Sequence, residues 1–513
     1  KMDAKSDLYI YFYFHGLSLL NDKGAFCFIT SNSWLDVGYG ADLQEFLLKQ
    51  CHVKMVLDNQ SRRSFASADV NTIIALFSPP SERRECGLER TARFVMFKVP
   101  FEQVLSPVVF KEIEATAERK ATPEYRVFPI RQDRLLEDGC ELPEDEETRA
   151  TQREKSGRRA SGPLIKVARY IGNKWGGKYL RAPDIYWTVV DKGGKYLVRL
   201  GDIALVRPGC YAGINDFFYL SKEVAGQWGI EAECLRPMIR TSRDILRPHI
   251  TPQDMEHYVF FCPFSKSEMK AKGLPGALAY IDWGEKQVTR HRQKTAAGIP
   301  WPKTETVKYR SPGWWAIPAQ NVEPTRNFLL YVIGERFLAP WSNKPLSSDR
   351  CFHRLFCPNT MSDQLGFSMN CTLTFLFISL FGRGNLGQGA QKYETADAKC
   401  LLLFNPASLP DKPEWEDIIA TFGKRQVLPI AEEIASKDRH RMDNVIFDAL
   451  RLTRGEREAV YEAVISLVET RLKKASSLDP KQLRSRGEAV RKTVGIWSDL
   501  PASSKDDDRS GEE

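Results

Sequence analysis

The stretch LVRPGCYAGIN, residues 205–215, combines residue types that can contact a nucleic acid. Arg207 can meet a phosphate or a guanine edge, and Asn215 can form two hydrogen bonds with adenine. Gly209 and Gly213 permit close approach of the backbone, and Tyr211 lies between them. The strand-like runs on both sides predict a glycine-rich β-hairpin, whose residue types would suit a nucleic acid. The alternative is a structural hairpin with one solvated arginine.

A second glycine-rich stretch, RGNLGQGA, begins at Arg383. Gly384, Gly387 and Gly389 leave backbone amides free to bind phosphate. A mobile loop would have the same composition, but the charge of Arg383 favours the phosphate interpretation.

The cysteines, histidines and carboxylates do not form a pattern typical of a metal site. Cys351, His353 and Cys357 lie close in sequence, but zinc would need a fourth ligand and paired spacing, so core residues are the better interpretation. Asp282 with Glu285 and Lys286 imitates a nuclease site but lacks the flanking strand pattern that would hold Mg²⁺. We therefore assign no metal ligand and no catalytic residue.

The bulk composition is that of a large, mildly basic globular protein. The 513 residues carry a net charge of +8, and this length suggests about three domains. A basic surface suits nucleic acid, although a mildly basic enzyme would have the same charge. The 11 cysteines have no regular spacing, which is typical of reduced thiols in a cytoplasmic protein. No apolar run approaches the ~18 residues that a membrane helix needs, so we expect no membrane partner.

The first hundred residues alternate between helix and strand patterns. A helix from Ser6, with that serine as its N-cap, precedes the apolar run AFCFIT, a second helix around ADLQEFLLKQC, and the strands VKMVLD and VNTIIALF. This order is typical of a doubly wound α/β sheet. Only the second half of such a sheet is present, so we expect the preceding strands to be missing from the chain.

Three long segments resemble gamma-class adenine-N6 DNA methyltransferases, including the fused restriction–modification (Type IIG) enzymes. The first is SDLYIYFYFHGLSLLNDKGAFCFITSNSWLDVGYGADLQEFLLKQCHVKMVLDNQSRRSFASADVNTIIALF, with Gln44 where the family commonly has arginine. The second, LGDIALVRPGCYAGINDFFYLSKE, resembles a hairpin of the TaqI-like specificity domain, with Ala212 in place of a threonine. The third, MNCTLTFLFISLFGRGNLGQGAQKYETADAKCLLLFNP, resembles the closing segment of that domain.

The resemblance implies transfer of a methyl group from S-adenosylmethionine to adenine N6, with Phe65 stacking on the extruded adenine. A base that leaves the helix loses its stacking and needs an aromatic partner in its pocket. A core residue before the strand is the alternative for Phe65. The glycine-rich cofactor turn is absent. The Asn/Asp/Ser-Pro-Pro-aromatic tetrapeptide is also absent, because the nearest match, Ser78 to Ser81, lacks the aromatic residue and is expected to be a strand end. GYG, at Gly38 to Gly40, is expected to lead into a helix.

The patterns together divide the chain into five parts. We expect residues 1–106 to be the C-terminal half of a Rossmann-like methyltransferase domain, 107–162 a linker, and 163–410 a mainly β domain that recognises DNA. Residues 411–480 are expected to be helical, with Thr453 capping the second helix, and 481–513 a polar tail.

The expected function is DNA recognition and base extrusion in a prokaryotic restriction–modification or related defence system. The expected partners are double-stranded DNA and a separate or missing N-terminal half that binds S-adenosylmethionine, without which the chain should be inactive. A stand-alone specificity subunit and a catalytically inactive defence protein are the alternatives.

Overall fold

The computed structural model describes residues 6–61, 70–80, 85–141, 169–243, 245–290, 297–383, 389–410 and 413–476. Its first unit is a six-stranded sheet in the order β1-β3-β2-β4-β6-β5. The strands are β1 (Phe26–Ser31), β2 (Val53–Asn59), β3 (Thr72–Phe77), β4 (Thr91–Phe97), β5 (Lys120–Ala121) and β6 (Tyr125–Arg131). Five helices accompany them: α1 (Leu8–Ser18), α2 (Gly40–Gln50), α3 (Glu85–Leu88), α4 (Pro107–Ala115) and α5 (Gln132–Asp138).

The first sheet is mixed, so the doubly wound expectation holds only in part. Strands β1 and β2 both pair antiparallel with β3, which lies between them, so they run in the same direction. Strand β4 runs parallel to β2, and β6 is antiparallel to β4. The run AFCFIT, expected to be a strand of the parallel type, therefore pairs antiparallel with β3, its one neighbour among the described residues.

Local sequence signals set the helix boundaries in this unit. Helix α1 is capped by Asp7, whose side chain accepts from the Leu8 amide, and not by Ser6 as expected. Helix α2 begins at Gly40 as the GYG turn predicts, and a Cβ on Gly40 would lie 1.9 Å from the Trp34 carbonyl oxygen. Strand β3 ends immediately before Ser78, as expected.

The expected linker at 107–162 begins too early. Strand β6 pairs along the whole length of β4, which makes residues up to 131 part of the first sheet. Gln132 then links α5 to the sheet: its amide accepts from the Val53 amide and donates to the Leu48 and Cys51 carbonyls. Residues 142–168 lie outside the described part of the chain.

The hydrophobic core of the first unit also contains residues that follow position 168. Strands β7 (Cys140–Glu141) and β8 (Arg169–Tyr170) pair, and a short π-helix, Gly176–Arg181, follows. Trp175 and Tyr179 pack in the core beneath the first sheet. The boundary with the second unit therefore lies near residue 182, later than the expected 163.

The second unit contains an eight-stranded mixed sheet in the order β10-β18-β15-β17-β12-β14-β11, with β13 paired to β17. The strands are β9 (Leu197–Arg199), β10 (Leu205–Pro208), β11 (Tyr219–Ser221), β12 (Leu235–Ile239), β13 (His249–Ile250), β14 (His257–Phe260), β15 (Thr325–Leu330), β16 (Val332–Ile333), β17 (Trp341–Ser348), β18 (Phe352–Phe356), β19 (Gln391–Lys392) and β20 (Leu402–Phe404). Strands β16 and β19 form a separate pair, as do β9 and β20.

Helices surround this sheet, so the expected mainly β character of 163–410 is met only in part. They are α6 (Asp184–Gly193), α7 (Leu200–Ile203), α8 (Asn215–Phe218), α9 (Lys222–Gln227), α10 (Lys266–Lys272), α11 (Pro275–Gly284), α12 (Ser362–Asn370), α13 (Thr372–Phe381), α14 (Thr395–Lys399), α15 (Pro413–Phe422), α16 (Ile430–Glu433), α17 (Lys437–Ala449) and α18 (Arg454–Ser476).

The C-terminal helices share a core with this sheet and do not form a separate region at 411–480. One buried apolar cluster runs from Ala182 to Val468. Asp443 on α17 accepts from the Thr372 amide (2.7 Å) and hydroxyl (2.6 Å), and so satisfies the first turn of the buried helix α13. Helix α18 begins after Thr453, whose hydroxyl accepts from the Glu456 amide as the sequence predicts.

A smaller core occupies one end of the sheet, between residues 210 and 322. It is rich in stacked aromatic rings, with Phe217 packed against Tyr280 and Trp314. Among the described residues, no single helix is long and apolar enough to cross a membrane; helices in 359–370 and 372–381 reach that length only as a pair bent by 68°.

Candidate nucleic-acid interface

Three parallel strands of the first sheet end at one edge. Strands β1, β2 and β4 run in the same direction, so their carboxyl ends meet there, the edge at which open α/β sheets bind ligands. Phe65 lies in 62–69, outside the described residues, but the chain leaves for that segment at Ser61 and returns at Val70. The Asn32 amide donates to the Asn71 carbonyl at 2.9 Å, which ties the returning chain to the end of β1.

The described residues of the carboxyl edge do not fit S-adenosylmethionine. That cofactor needs a glycine-rich turn where the backbone can approach it closely. The described residues that follow the three strands are Asn32 and Ser33, Gln60 and Ser61, and Lys98 and Val99. None is glycine, so no cofactor chemistry is assigned to this edge.

A cavity of about 100 Å³ separates the carboxyl edge from the second unit; we call it the junction cavity. Its lining residues come from the first sheet, α13, β19 and α18, and include Asn32, Asp36, Asp58, Gln60, Asn71, Arg181, Ser379, Arg383, Gln391, Arg471 and Lys474.

Most cations of the junction cavity are paired with buried carboxylates. Lys474 meets Asp58 at 2.9 Å, and Arg181 meets Asp36 at 2.8 Å. The exception is Arg471, which donates to the Gly334 carbonyl, and burial lowers the pKa of its guanidinium to about 10. The Arg181–Asp36 pair joins the π-helix 176–181 to the chain after β1, and the Lys474–Asp58 pair joins α18 to β2.

Arg383, predicted to contact phosphate, is one of these paired cations. Its Nε lies 2.6 Å from Asp397, which also accepts from Lys174. Burial alone would raise the pKa of the Asp397 carboxyl, but the charges of Lys174 and Arg383 hold it below its ordinary value. Gly384 and Gly387 lie outside the described residues.

The predicted hairpin at 205–221 is not a hairpin. Strands β10 and β11 lie at opposite ends of the eight-stranded order and do not pair. The connecting loop 209–214 instead lies against the end of β17, where the Cys210 amide donates to the Ser348 carbonyl at 2.7 Å, and leads into the short helix α8. Buried Arg354 donates two hydrogen bonds to the Pro208 carbonyl at the start of this loop.

Packing within the protein accounts for the two glycines of the loop. A Cβ on Gly209 would lie 2.1 Å from the Asp349 carbonyl oxygen. Gly213 has φ +87° and lies against Thr306. A Cβ added to Gly213 would lie 2.7 Å from the Thr306 hydroxyl oxygen. Both glycines are therefore required by the fold, whatever contacts the loop makes outside it.

The polar and aromatic side chains of the loop point outward. Tyr211 is 53% exposed, with the Arg350 guanidinium 5.5 Å from its ring centroid. Asn215 is exposed at the start of α8. Arg207 forms an ion pair with Glu323 at 2.5 Å, and both side chains are nearly half exposed.

A segment that the sequence did not single out completes this surface. Residues 303–310 pack against the loop, because Arg310 donates to the Ala212 carbonyl at 2.8 Å and Thr306 contacts Gly213. Lys303, Arg350 and Tyr309 are exposed here. The run KTETVKYR mixes cations with a tyrosine, which was the available signal. We call residues 209–215, 303–310 and Arg350 together the loop surface.

The cysteine and histidine cluster is divided between different environments. His353 is buried in β18 and its Nε2 lies 2.8 Å from the Tyr393 carbonyl oxygen. Cys351 is exposed, whereas Cys357 lies near Asn327. Among the described residues, no three metal-ligating side chains come together.

Comparison with known families places this chain. Residues 173–437, more than half of the chain, match the model of the Type II methyltransferase M.Eco57I, C-terminal domain. Residues 1–65 match the Eco57I restriction-modification methylase. The chain is thus of the restriction–modification methyltransferase class, and it belongs to the M.Eco57I family. A comparison with curated proteins found no match.

Two solved structures are similar over nearly the whole chain. The type IIG restriction endonuclease BpuSI has 13% identity and a TM-score of 0.42, covering 92% of this chain and 50% of that one. The Type IIL restriction-modification enzyme MmeI, solved in complex with DNA, has 10% identity and a TM-score of 0.46, covering 91% and 54%. This chain therefore spans about half the length of those two enzymes.

Proposed function

We propose that this chain recognises a DNA sequence and helps to extrude the target base for a site-specific adenine-N6 methyltransferase of a restriction–modification or related defence system. The loop surface carries the proposal. Lys303 and Arg350 are exposed, and Arg350 has no carboxylate within ion-pair distance among the described residues. Exposed cations meet phosphates, whereas Asn215 at the start of α8 has the donor and acceptor that an adenine edge requires.

Base extrusion is proposed from the described residues on either side of the stretch that contains Phe65. Ser61, after β2, and Val70, before β3, both lie at the carboxyl edge of the first sheet. An extruded adenine needs an aromatic face to replace its lost stacking, and Phe65 is the aromatic residue of the stretch RRSFASAD. The alternative, that Phe65 is a core residue, predicts unfolding when it is replaced by alanine.

The edge of the first sheet at β1, which lacks a second neighbour among the described residues, supports a partner that supplies S-adenosylmethionine binding and catalysis. Strand β1 has one described neighbour, β3. Cys27 and Ile29 on β1 are exposed, and α1 exposes Leu8 and Phe12 close by in the chain. Unpaired strand edges with apolar side chains are sites where further strands add. We propose that an N-terminal methyltransferase half pairs here and binds the cofactor.

DNA binding is tested by titrating the full chain with duplex DNA over a salt series. The second unit shares its core with the C-terminal helices, so the whole chain is the proper sample. We expect affinity to fall steeply with salt, because phosphate contacts release counterions. Asn215→Ala should then lose about 1–3 kcal/mol of discrimination at the cognate site if it reads a base. Absence of binding at low salt would overturn the DNA-recognition proposal.

Methyl transfer from labelled S-adenosylmethionine tests whether catalysis belongs to the N-terminal half and not to this chain. The chain alone should incorporate no label above background, and adding the N-terminal half should restore transfer. Phe65→Ala should lower transfer in the reconstituted enzyme while leaving duplex affinity unchanged, because stacking matters only after the base has left the helix. Label incorporation by the chain alone would contradict the proposal and require a new catalytic assignment.

A further inference from the structure

Tyr309 is an exposed aromatic side chain on a well-anchored segment. Its exposed fraction is 82%, the largest among the exposed large apolar side chains of the described residues. The neighbours of Tyr309 in the chain are held in place: Val307 is buried in the smaller core, and Arg310 donates to the Ala212 carbonyl. The position of Tyr309 is therefore set by the fold, and its ring projects from a fixed backbone.

A cation accompanies the ring. The Lys308 Nζ lies 4.7 Å from the Tyr309 ring centroid. Lys308 also pairs with the exposed Glu305, an ion pair in water that a phosphate can replace at little cost. The arrangement repeats that of Tyr211, whose ring lies beneath Arg350.

The two tyrosines belong to one continuous surface. Thr306 packs against Gly213, and the Arg310 guanidinium lies 5.0 Å from the Phe218 ring centroid in α8. The segment 303–310 and the loop 209–215 are therefore packed directly against each other. A ligand that contacts Tyr211 and Asn215 would lie beside Lys308 and Tyr309.

We propose that Lys308 and Tyr309 form a second contact with duplex DNA, in which Lys308 meets a backbone phosphate and the Tyr309 ring packs on a sugar or on an unstacked base. This inference rests on the proposed DNA recognition by the loop surface. Alternating cations and exposed rings suit nucleic acid, because phosphates alternate with flat, polarisable surfaces along each strand. A protein partner is the competing occupant, and it would leave DNA affinity independent of both residues.

The test compares variants of the full chain in binding to a mixed-sequence 30-base-pair duplex at several salt concentrations. Lys308→Ala should reduce the slope of log affinity against log salt by about one, the loss of a single phosphate contact. Tyr309→Ala should weaken binding by about 5-fold to 30-fold at low salt, whereas Tyr309→Phe should bind like the wild type because the ring is retained. Lys270→Ala, an exposed lysine on α10 of the same core, is the matched control and should change neither affinity nor slope beyond the general effect of one charge.

The outcomes separate this inference from the proposed function. If the wild type binds with steep salt dependence and both alanine variants match it, the second contact is wrong and DNA recognition stands. If the wild type binds no DNA at low salt, the proposed function itself fails. Thermal melting should be unchanged in each variant, because Tyr309 and the control lysine lie in solvent.

Discussion

The junction cavity and the loop surface use the same residue types in opposite ways. At the junction cavity, Lys474 and Arg181 each meet a carboxylate that is nearly or fully buried. At the loop surface, Lys308 pairs with a carboxylate that is 81% exposed, and Arg350 lies on a tyrosine ring. A buried carboxylate that loses its cation is left as an unpaired charge in the low-dielectric interior, whereas an exposed carboxylate is hydrated by water.

This difference separates cations that hold the fold together from cations that are available to a partner. Arg383 shows the value of the distinction. The sequence favoured a phosphate contact for it, yet its guanidinium is bound to Asp397, which a phosphate would have to displace from a buried site. Arg207, by contrast, faces an exposed carboxylate and can exchange it for a phosphate.

The largest effect should come from a glycine of the loop surface that serves the fold. In Gly209→Ala, the new Cβ would lie 2.1 Å from the Asp349 carbonyl oxygen and 2.8 Å from that of Phe352. Both atoms belong to the backbone and cannot rotate away. We expect the free energy of unfolding to fall by about 3 kcal/mol or more, measured by urea denaturation.

Gly226→Ala is the matched control for that change. It lies in α9 of the same core, and a Cβ there meets nothing within 4 Å. Alanine should be neutral or stabilising by up to about 1 kcal/mol, since it costs less backbone entropy in a helix. Equal stability of the Gly209→Ala protein and the wild type would show that the loop is looser than its contacts indicate.

The junction pair Asp58 and Lys474 should give the next largest effect. The Asp58 side chain is 3% exposed and that of Lys474 14%. Lys474→Met leaves the carboxylate buried without its cation, and should cost about 2–3 kcal/mol of unfolding free energy. The double variant Asp58→Asn, Lys474→Met should lose less than the sum of the two single variants, because it removes the uncompensated charge. Additive losses would mean that the pair does not join α18 to the first sheet.

Acid should weaken the junction through Asp397, which pairs with Lys174 and Arg383. The pKa of Asp397 is lowered in the folded protein, because Lys174 and Arg383 outweigh the opposing effect of burial. A lowered folded pKa means that the stabilisation is present above the unfolded pKa of about 4 and is lost as the pH falls through the folded value. We expect the urea midpoint to fall from pH 5 to pH 3, and to fall less steeply in Asp397→Asn. An identical pH profile in that variant would show that Asp397 does not contribute to the loss of stability in acid.

Local patterns in the sequence predicted local structure well. Gly38 to Gly40 and Thr453 mark helix starts where expected, because each acts through neighbours in the chain. What local patterns could not predict depends on distant residues. Gly209 was assigned to close approach by a ligand, which stays a prediction, and the atoms that require a glycine there belong to Asp349 in the β17–β18 turn and to Phe352 at the start of β18.

The site was predictable only where the chain itself brings its residues together. The exposure of Tyr211 and Asn215 agrees with the roles assigned to them, which remain predictions. The contribution of 303–310 follows from Thr306 packing on Gly213, a contact across some ninety residues that no spacing encodes. The strand pairing of β6 with β4 is similar: the polar composition after residue 107 favoured a linker, and tertiary packing overrode it.

The smallest effect on stability is expected at the exposed ion pair of Arg207 and Glu323, beside the loop surface. Arg207 and Glu323 are 40% and 45% exposed, and such a pair contributes about 0–1 kcal/mol to stability. Glu323→Gln should therefore leave the unfolding free energy unchanged within about 0.5 kcal/mol. It should also free Arg207 and remove a negative charge beside the proposed DNA path, so that duplex affinity rises a few-fold at low salt and the gain shrinks as salt screens it.

Asp133→Asn is the control for charge alone, because Asp133 forms a similarly exposed pair with Arg131 on the first unit. Its affinity should rise less than that of Glu323→Gln. Adding Arg207→Ala to Glu323→Gln should abolish the gain for all DNA sequences if Arg207 meets a phosphate, or mainly for the cognate site if it meets a guanine. If Glu323→Gln and Asp133→Asn bind DNA equally well, Arg207 is a solvated arginine of the fold and does not contact DNA.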